Sequence, residues 1–184
     1  LVIRLLGERA GGLAAKIHTG RSRNEQVSLD TRLWLRAEID RILELLRGVM
    51  QALLDQARAE PRAVICGYTH MRRAQAVLWP HYLLAYFEMF ARDHERLSQA
   101  RARTNVMPLG SGALAGSGFP FDRGAMADEM NFGGFTRNSM DVSADRDFAL
   151  DFLYSSSMAM LHLSRLAEDW ILYSSDEFGW LELS

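Results

Sequence analysis

Apolar residues recur at alternating spacings of four and three after Asn24, which is the pattern of one face of an α-helix. This pattern predicts a long amphipathic helix from about Glu25 to Ala59, with Pro61 marking its end. At roughly 1.5 Å per residue the helix would be about 50 Å long, which is long for a globular protein and favours a bundle of neighbouring helices. The apolar stripe consists of Leu35, Ile39, Ile42, Leu46, Val49 and Leu53.

The same periodicity predicts two further long helices. The second starts near Gln75 or Trp79 and ends at Arg103, and the third covers Ser143 to Ser174. A short helix is predicted between them, from Asp122 to Met130. The sequence shows no convincing strand alternation. It therefore predicts an all-α fold, a bundle of long helices.

Composition narrows the class of protein without identifying it. The 184 residues are 48% hydrophobic, enough for a substantial core, so we expect one domain over residues 1–184. The net charge of -2 gives no basic surface for nucleic acid, and no uncharged apolar stretch reaches the roughly 20 residues of a membrane span. The one cysteine, Cys66, excludes an intrachain disulfide and fits a reducing cytosol. We therefore expect a cytoplasmic protein that binds neither nucleic acid nor membrane.

The segment His18–Glu25 has the composition of an anion-binding turn. It places two guanidinium groups, an amide and hydroxyl side chains directly before the first long helix. Guanidinium groups bind carboxylates bidentately, and the N–H groups at a helix N-terminus add positive potential there. The alternative is structural: Ser22 or Asn24 caps the helix, and Glu25 in its first turn favours the helix dipole. The residue types alone fit both interpretations.

His70 is the side chain best suited to acid–base chemistry, because imidazole gains or loses a proton near neutral pH. It follows the short segment Gly67–Thr69, where a structural, hydrogen-bonded histidine is the more common case in general. His162 lies among apolar helical residues, where packing is the default interpretation. No cysteine and histidine cluster in the sequence has the spacing of a metal site. The glycines at 110, 112 and 116 lack the preceding strand that a dinucleotide-binding motif requires.

Several motifs resemble, in the same order, those of the argininosuccinate lyase family in the fumarase/aspartase superfamily, which includes the δ-crystallins. The first is the string HTGRSRNEQV at residues 18–27, which few other families carry. The resemblance covers almost the whole chain, with departures at Arg72 and Ala76, where the family usually has Gln and Pro. The other motifs are Gly67–His70 with Arg73–Gln75, Pro108–Gly116, Asn138–Asp141 with Asp145–Phe148, and His162–Glu168.

The resemblance implies the central helical domain of the fumarase/aspartase-like fold and a carbon–nitrogen lyase. The implied reaction is the reversible β-elimination of argininosuccinate to L-arginine and fumarate, the closing step of arginine synthesis. It needs no metal and no organic cofactor. His70 is implied as the catalytic residue, either as the base or as the group that orients the base. The implied substrate-binding residues are Asn24, Thr69, Arg23 and, more weakly, Gln75 and Arg146.

The resemblance also implies a homotetramer with active sites shared between subunits, and a catalytic serine in a loop that follows Ser184. The chain starts at Leu1 without an initiator Met and ends at Ser184 without a capping signal. We therefore expect an internal piece of a longer enzyme, inactive by itself. Two alternatives stay open. One is a non-catalytic, crystallin-like structural protein on the same scaffold, and the other is a fumarase or adenylosuccinate lyase, which the string at residues 18–24 argues against.

Overall fold

In the computed structural model, which describes residues 2–16 and 18–182, long helices dominate and a small antiparallel sheet joins them. This confirms the predicted all-α fold class, with the two-stranded sheet as an addition. The elements in chain order are α1 (Val2–Ala10), α2 (Leu13–Lys16), α3 (Arg23–Ala59), β1 (Val64–Thr69), β2 (Arg72–Leu78), α4 (Trp79–Thr104), α5 (Arg123–Glu129), α6 (Ser139–Ala144) and α7 (Asp147–Tyr173).

Helix α3 matches the first predicted amphipathic helix. It spans Arg23–Ala59, where the periodicity predicts Glu25 to Ala59. Residues of the predicted stripe such as Leu35 and Ile39 are buried, because their spacing keeps them on one face of the helix. Pro61 follows the end of the helix, as expected of a residue that has no backbone N–H to donate.

The other two long helices agree with the prediction except at one end. Helix α4 begins at Trp79, and Pro80 falls in its first turn, where a missing N–H is tolerated. The predicted third helix is wrong at its N-terminal end, because the chain is interrupted between α6 and α7. Asp145 leaves the helical conformation with ψ of 125°. Its side chain accepts a hydrogen bond of 2.8 Å from the N–H of Asp147 and so caps the start of α7.

Residues 64–78 form a β-hairpin, although the sequence shows no convincing strand alternation. The expectation of helices alone is wrong for this segment. Strands β1 and β2 pair antiparallel through a two-residue turn formed by His70 and Met71. Both turn residues have positive φ, 52° and 60°, as a type I′ turn requires, although Asn and Gly are usual there. The pairing shifts register between Cys66 and Tyr68, and no side chain of the hairpin is buried. The alternation and the turn residues that would signal a hairpin are therefore absent from the sequence.

Residue contacts divide the chain into two compact units. Unit 1 comprises Leu1–Ala37 and Ala102–Ala149, and unit 2 comprises Glu38–Arg101 and Leu150–Ser184. The single domain over residues 1–184 stays a prediction. The cores contain the buried side chains of Leu29, Met107, Leu109, Ala127 and Phe132 in unit 1, and of Ile39, Leu83, Phe90 and Leu97 in unit 2.

A buried arginine connects the helices of unit 1. Arg32 on α3 donates hydrogen bonds to the backbone oxygens of Arg103 and Thr104, at 3.2 and 3.4 Å. It also donates to the Asp145 carboxylate at 2.5 Å, and its guanidinium lies 4.0 Å from the centroid of the Phe148 ring. Burial lowers the pKa of Arg32, and the charge of Asp145 acts in the opposite direction. The pairing with Asp145 offsets part of the cost of burying the cation, whereas a lone buried charge would be strongly unfavourable.

Helix α7 exposes an apolar face. The exposed side chains are separated by spacings such as three, four and seven, which place them on one side of the helix. Soluble monomers seldom expose contiguous apolar surface of this kind. Across the described residues, no helix is both long enough and apolar enough to cross a membrane. The exposed face consists of Leu150, Leu153, Tyr154, Met160, Leu161, Ile171 and Leu172.

Replacing Gly112 by Ala should destabilise the protein, because φ there is +63° and a Cβ would lie 2.4 Å from the backbone oxygen of Gly116. We expect the free energy of unfolding to fall by about 1–3 kcal/mol. The matched control is Gly118→Ala, because a Cβ at Gly118 meets no atom within 4 Å. Thermal melting of both variants measures the difference, and equal melting temperatures would contradict the prediction.

Candidate active site

The turn before α3 is a capping box. The Ser22 hydroxyl oxygen accepts a hydrogen bond of 3.2 Å from the N–H of Asn24. The Glu25 carboxylate in turn accepts a hydrogen bond of 2.8 Å from the N–H of Ser22. The capping interpretation is therefore correct for Ser22 and Glu25. Asn24 is not the cap, and its side chain is exposed on the first turn of the helix.

The second carboxylate oxygen of Glu25 connects this turn to the glycine-rich loop, residues 108–118. It accepts a hydrogen bond of 2.9 Å from the N–H of Gly112. Glu25 is 1% exposed, so both bonds form in a buried position. Hydrogen bonds to an ionised carboxylate are stronger than those between neutral groups. Glu25 therefore holds the glycine-rich loop against the turn before α3.

Two cavities lie where the turn meets the glycine-rich loop. The larger, a shallow depression wide open to solvent, has a volume of about 560 Å³, and the smaller has a volume of about 230 Å³. The larger is lined by His18, residues 20–23 and residues of the segment 112–119. The two cavities share Gly20 and Arg21 in their walls. The cavities are therefore bounded by the residues that the sequence predicts as an anion-binding turn.

Two cationic side chains line the larger cavity, Arg21 and Arg23. The Nε atom of Arg21 is buried and has no hydrogen-bond partner within the described part of the chain. A buried N–H without an acceptor is unfavourable, which sets Arg21 apart from the exposed Arg23. The two guanidinium groups give the cavity the charge of an anion site. The sequence places both arginines in the turn, but only the fold distinguishes Arg21 by its burial.

The glycine-rich loop has a second support, which the sequence does not reveal. Arg123 on α5 donates hydrogen bonds to the backbone oxygen of Leu109 at 2.7 Å and to the Thr136 hydroxyl at 2.8 Å. Burial lowers the pKa of Arg123, whereas the charge of Glu25 acts in the opposite direction. A Cβ on Gly110 would lie 2.8 Å from the Arg123 side chain, so the loop needs glycine there. No motif or spacing signals these contacts, because the fold alone brings the residues together.

The predicted site residues form two groups. Thr69 and His70 lie together at the turn of the hairpin, with Gln75 on β2, and all three are exposed. These residues belong to unit 2, whereas Arg23 and Asn24 belong to unit 1. The roles predicted for all five residues stay predictions.

The hairpin turn stores backbone strain at the predicted catalytic residue. His70 and Met71 both have left-handed φ, a conformation that costs a non-glycine residue about 1–3 kcal/mol. Such strain persists where the surrounding structure imposes it, and it is concentrated at functional sites. Met71 is also 97% exposed. The strain makes this turn a candidate functional segment.

Two other residues singled out in the sequence, His162 and Arg146, have partners within the protein. The Nδ1 atom of His162 lies 2.6 Å from a carboxylate oxygen of the buried Asp93, which also accepts a hydrogen bond from Arg96. This geometry agrees with the packing interpretation of His162. Arg146 is exposed and donates a hydrogen bond of 2.6 Å to the backbone oxygen of Asp145. In the part of the chain that the structure describes, no group of three or more His, Cys, Asp or Glu residues could hold a metal ion.

Comparison with known proteins places the chain in a family. The profile of a family described as lyase matches residues 2–184. The chain belongs to this lyase family. An argininosuccinate lyase of Solibacter usitatus (strain Ellin6076) is 72% identical over 183 residues, which cover 100% of this chain and 40% of the relative. An argininosuccinate lyase of Desulfatibacillum aliphaticivorans is 52% identical over 178 residues, covering 97% of this chain and 38% of the relative.

These relatives confirm the resemblance that the motifs predict. The chain spans 40% of the length of the first relative and 38% of the second. Among solved structures, an EDDS lyase in complex with formate matches with a TM-score of 0.95 and 32% identity, over 100% of this lyase chain and 37% of the other. A fumarate lyase from Mesorhizobium sp. BNC1 matches with a TM-score of 0.80 at 23% identity and shares the fold.

Replacing Glu25 by Gln should destabilise the lyase, because an amide has one acceptor oxygen for the two N–H groups that the carboxylate now binds. Leaving one buried N–H unpaired should lower the free energy of unfolding by about 1–3 kcal/mol. The control is Glu38→Gln, which removes an ion pair of 3.2 Å with the exposed Arg41. That loss should be at most about 1 kcal/mol, because pairs in contact with water contribute little. Similar melting temperatures for the two variants would count against a structural role for Glu25.

Proposed function

We propose that the chain is part of an argininosuccinate lyase, which cleaves argininosuccinate reversibly into L-arginine and fumarate. The observation that carries the proposal is the cavity that Arg21 and Arg23 share with the glycine-rich loop. Argininosuccinate presents carboxylates that suit these guanidinium groups. Two relatives named argininosuccinate lyase, 72% and 52% identical, support this choice of substrate.

The β-elimination makes three chemical demands. A base removes a proton from the carbon beside a carboxylate, fixed donors stabilise the resulting dianionic intermediate, and the carbon–nitrogen bond breaks so that arginine leaves with its guanidinium protonated. In this proposal His70 is the base or orients it. Arg23, Asn24 and Thr69 donate hydrogen bonds to the carboxylates, and Gln75 is a weaker contributor to binding.

The reaction needs a second proton-transfer group. The resemblance to argininosuccinate lyases assigns that task to a serine in a loop outside residues 1–184. We therefore infer that these 184 residues release no fumarate on their own. Charged and hydrogen-bonding side chains meet the demands of the elimination, so the proposal includes no metal or organic cofactor.

Assembly is part of the same proposal. The exposed apolar face of α7 supports a homotetramer in which long helices of several subunits pack together. Each active site then combines the turn before α3 from one subunit with the hairpin from another. We also propose that the enzyme acts in the cytoplasm, as a reducing compartment suits the lone Cys66.

The alternative is a non-catalytic protein of the crystallin type on the same scaffold. It would retain the helices and their apolar faces but would not need the strained turn at His70 and Met71. Another lyase of the superfamily is a further candidate, since EDDS lyase shares the fold with a TM-score of 0.95. Fumarate release from argininosuccinate by the full-length protein distinguishes these candidates.

Replacing His70 by Asn in the full-length enzyme should lower kcat by about a hundredfold or more, because a positioned acid–base group contributes that much. The matched control is His94→Asn, which removes a hydrogen bond of 3.3 Å from Arg47 on the exposed side of the helices. Fumarate absorbance measures turnover, and thermal melting measures folding. A structural role for His70 would instead lower the melting temperature severely and leave turnover per folded molecule unchanged.

Mixing two inactive variants tests the shared site. Asn24→Ala removes a donor for the intermediate, and His70→Asn removes the acid–base group. If each site takes these residues from different subunits, hybrid tetramers contain some sites with neither substitution and recover part of the activity. Activity is measured after subunits have exchanged, with each variant alone as the control. No recovery after demonstrated exchange would contradict sharing of sites between subunits.

A further inference from the structure

The hairpin that carries Thr69 and His70 needs support from outside itself. It has only two strands, and an isolated two-stranded hairpin is at best marginally stable in water. A register shift at Gly67 changes the direction of the side chains that follow it in the strand. The turn contains two non-glycine residues with left-handed φ, a strain that persists only when neighbouring structure imposes it. A contact from outside the hairpin is therefore needed to fix the turn.

An aromatic clamp, which we define as Phe178 and Trp180 in the segment after α7, provides this support. The ring of Tyr68 lies 5.5 Å from the ring of Phe178 and 6.4 Å from the ring of Trp180, measured between centroids. The two clamp rings meet edge to face at 5.0 Å. These separations are typical of favourable aromatic contacts. Tyr68, which directly precedes Thr69, therefore anchors the hairpin to the clamp.

The clamp is fixed to the end of α7. The N–H groups of Trp180 and Leu181 donate to the backbone oxygen of Tyr173, at 2.8 and 3.1 Å. Gly179 adopts φ of +57° in this turn, a conformation that glycine allows without strain. The Tyr173 ring packs against Trp180 at 4.9 Å and against Tyr82 of α4 at 5.5 Å. The clamp is thus connected to two long helices of unit 2.

The carboxylate of Asp169 binds the tyrosines of α4 that pack next to Tyr173. Asp169 on α7 accepts hydrogen bonds from the hydroxyls of Tyr82 at 3.0 Å and Tyr86 at 2.5 Å. Burial raises the pKa of both tyrosines, so they remain protonated donors. A continuous series of contacts therefore runs from α4 and α7 through the clamp to Tyr68.

We propose that Tyr68 is a positioning residue for His70, since the clamp holds the Tyr68 ring and the ring fixes the strained turn. The inference rests on the proposed function, which gives His70 its acid–base role. We expect the ring of Tyr68 to contribute more than its hydroxyl to the position of the turn. The hydroxyl interacts with Arg73, the residue paired with Tyr68 across the hairpin, and this arginine is fully exposed. Exposed polar pairs contribute little, whereas the ring contacts carry the anchoring.

The test compares three variants of the full-length enzyme. Tyr68→Leu removes the ring, and Tyr68→Phe keeps the ring and removes only the hydroxyl. Phe90→Leu is the control for a general loss of stability, because Phe90 is fully buried on α4 and belongs to neither the hairpin nor the clamp. Hydrogen–deuterium exchange of the hairpin amides measures the anchoring. Fumarate release from argininosuccinate gives kcat and KM.

In the Tyr68→Leu variant we expect faster hydrogen–deuterium exchange of the hairpin amides and a kcat lower by about tenfold or more. The reason is that a displacement of a catalytic group such as His70 by about 1 Å can reduce turnover on the order of a hundredfold. The KM should change much less than kcat, since a displaced acid–base group acts mainly on the transition state. Tyr68→Phe should behave as the wild type in both measurements. Phe90→Leu should melt at a lower temperature while kcat per folded molecule is unchanged.

Unchanged exchange in Tyr68→Leu would overturn the proposal, and so would faster exchange with unchanged kcat. An equal loss of kcat in Phe90→Leu would also overturn it, because the loss would then reflect stability alone. A wild-type enzyme that released no fumarate from argininosuccinate would instead refute the proposed function. In that case the exchange measurement still decides whether the ring of Tyr68 fixes the hairpin.

Discussion

The buried carboxylate of Glu25 is the constraint on which the candidate site depends. One of its oxygens closes the capping box of α3 through Ser22, and the other binds the N–H of Gly112. A single carboxylate therefore links the start of the longest helix to the glycine-rich loop. The cavity with Arg21 lies between these two segments.

Unit 1 is further held by two arginines, the buried Arg32 and the partly buried Arg123, which bind backbone oxygens. Arg32 binds the end of α4 and the Asp145 carboxylate, and Arg123 binds the backbone oxygen of Leu109 in the glycine-rich loop. The buried pair of Arg32 and Asp145 is a weak source of net stability, but breaking it would leave an uncompensated charge in the interior. Together the two arginines connect α3 to the end of α4 and α5 to the glycine-rich loop.

Unit 2 supports its part of the candidate site with aromatic packing rather than with charge. The hairpin exposes Thr69 and His70 on a strained turn, and the ring of Tyr68 connects that turn to Phe178 and Trp180. The two groups of site residues thus rest on different physical interactions. The proposed elimination uses both, since the cationic turn suits the carboxylates of the substrate and the hairpin supplies the acid–base group.

The sequence by itself determined the long helices, because a helix that buries one face must repeat its apolar residues with the helical period. It also determined the turn before α3 and the family, since both are carried by short contiguous motifs. Only the tertiary structure decided the break between α6 and α7, where Asp145 is held by Arg32, 113 residues away in the chain. The hairpin was not predicted, because its residues carry no clear strand or turn pattern. Its strands contain no buried side chain and shift register at Gly67, and its turn residues, His70 and Met71, have positive φ without the Asn and Gly that usually signal such a turn.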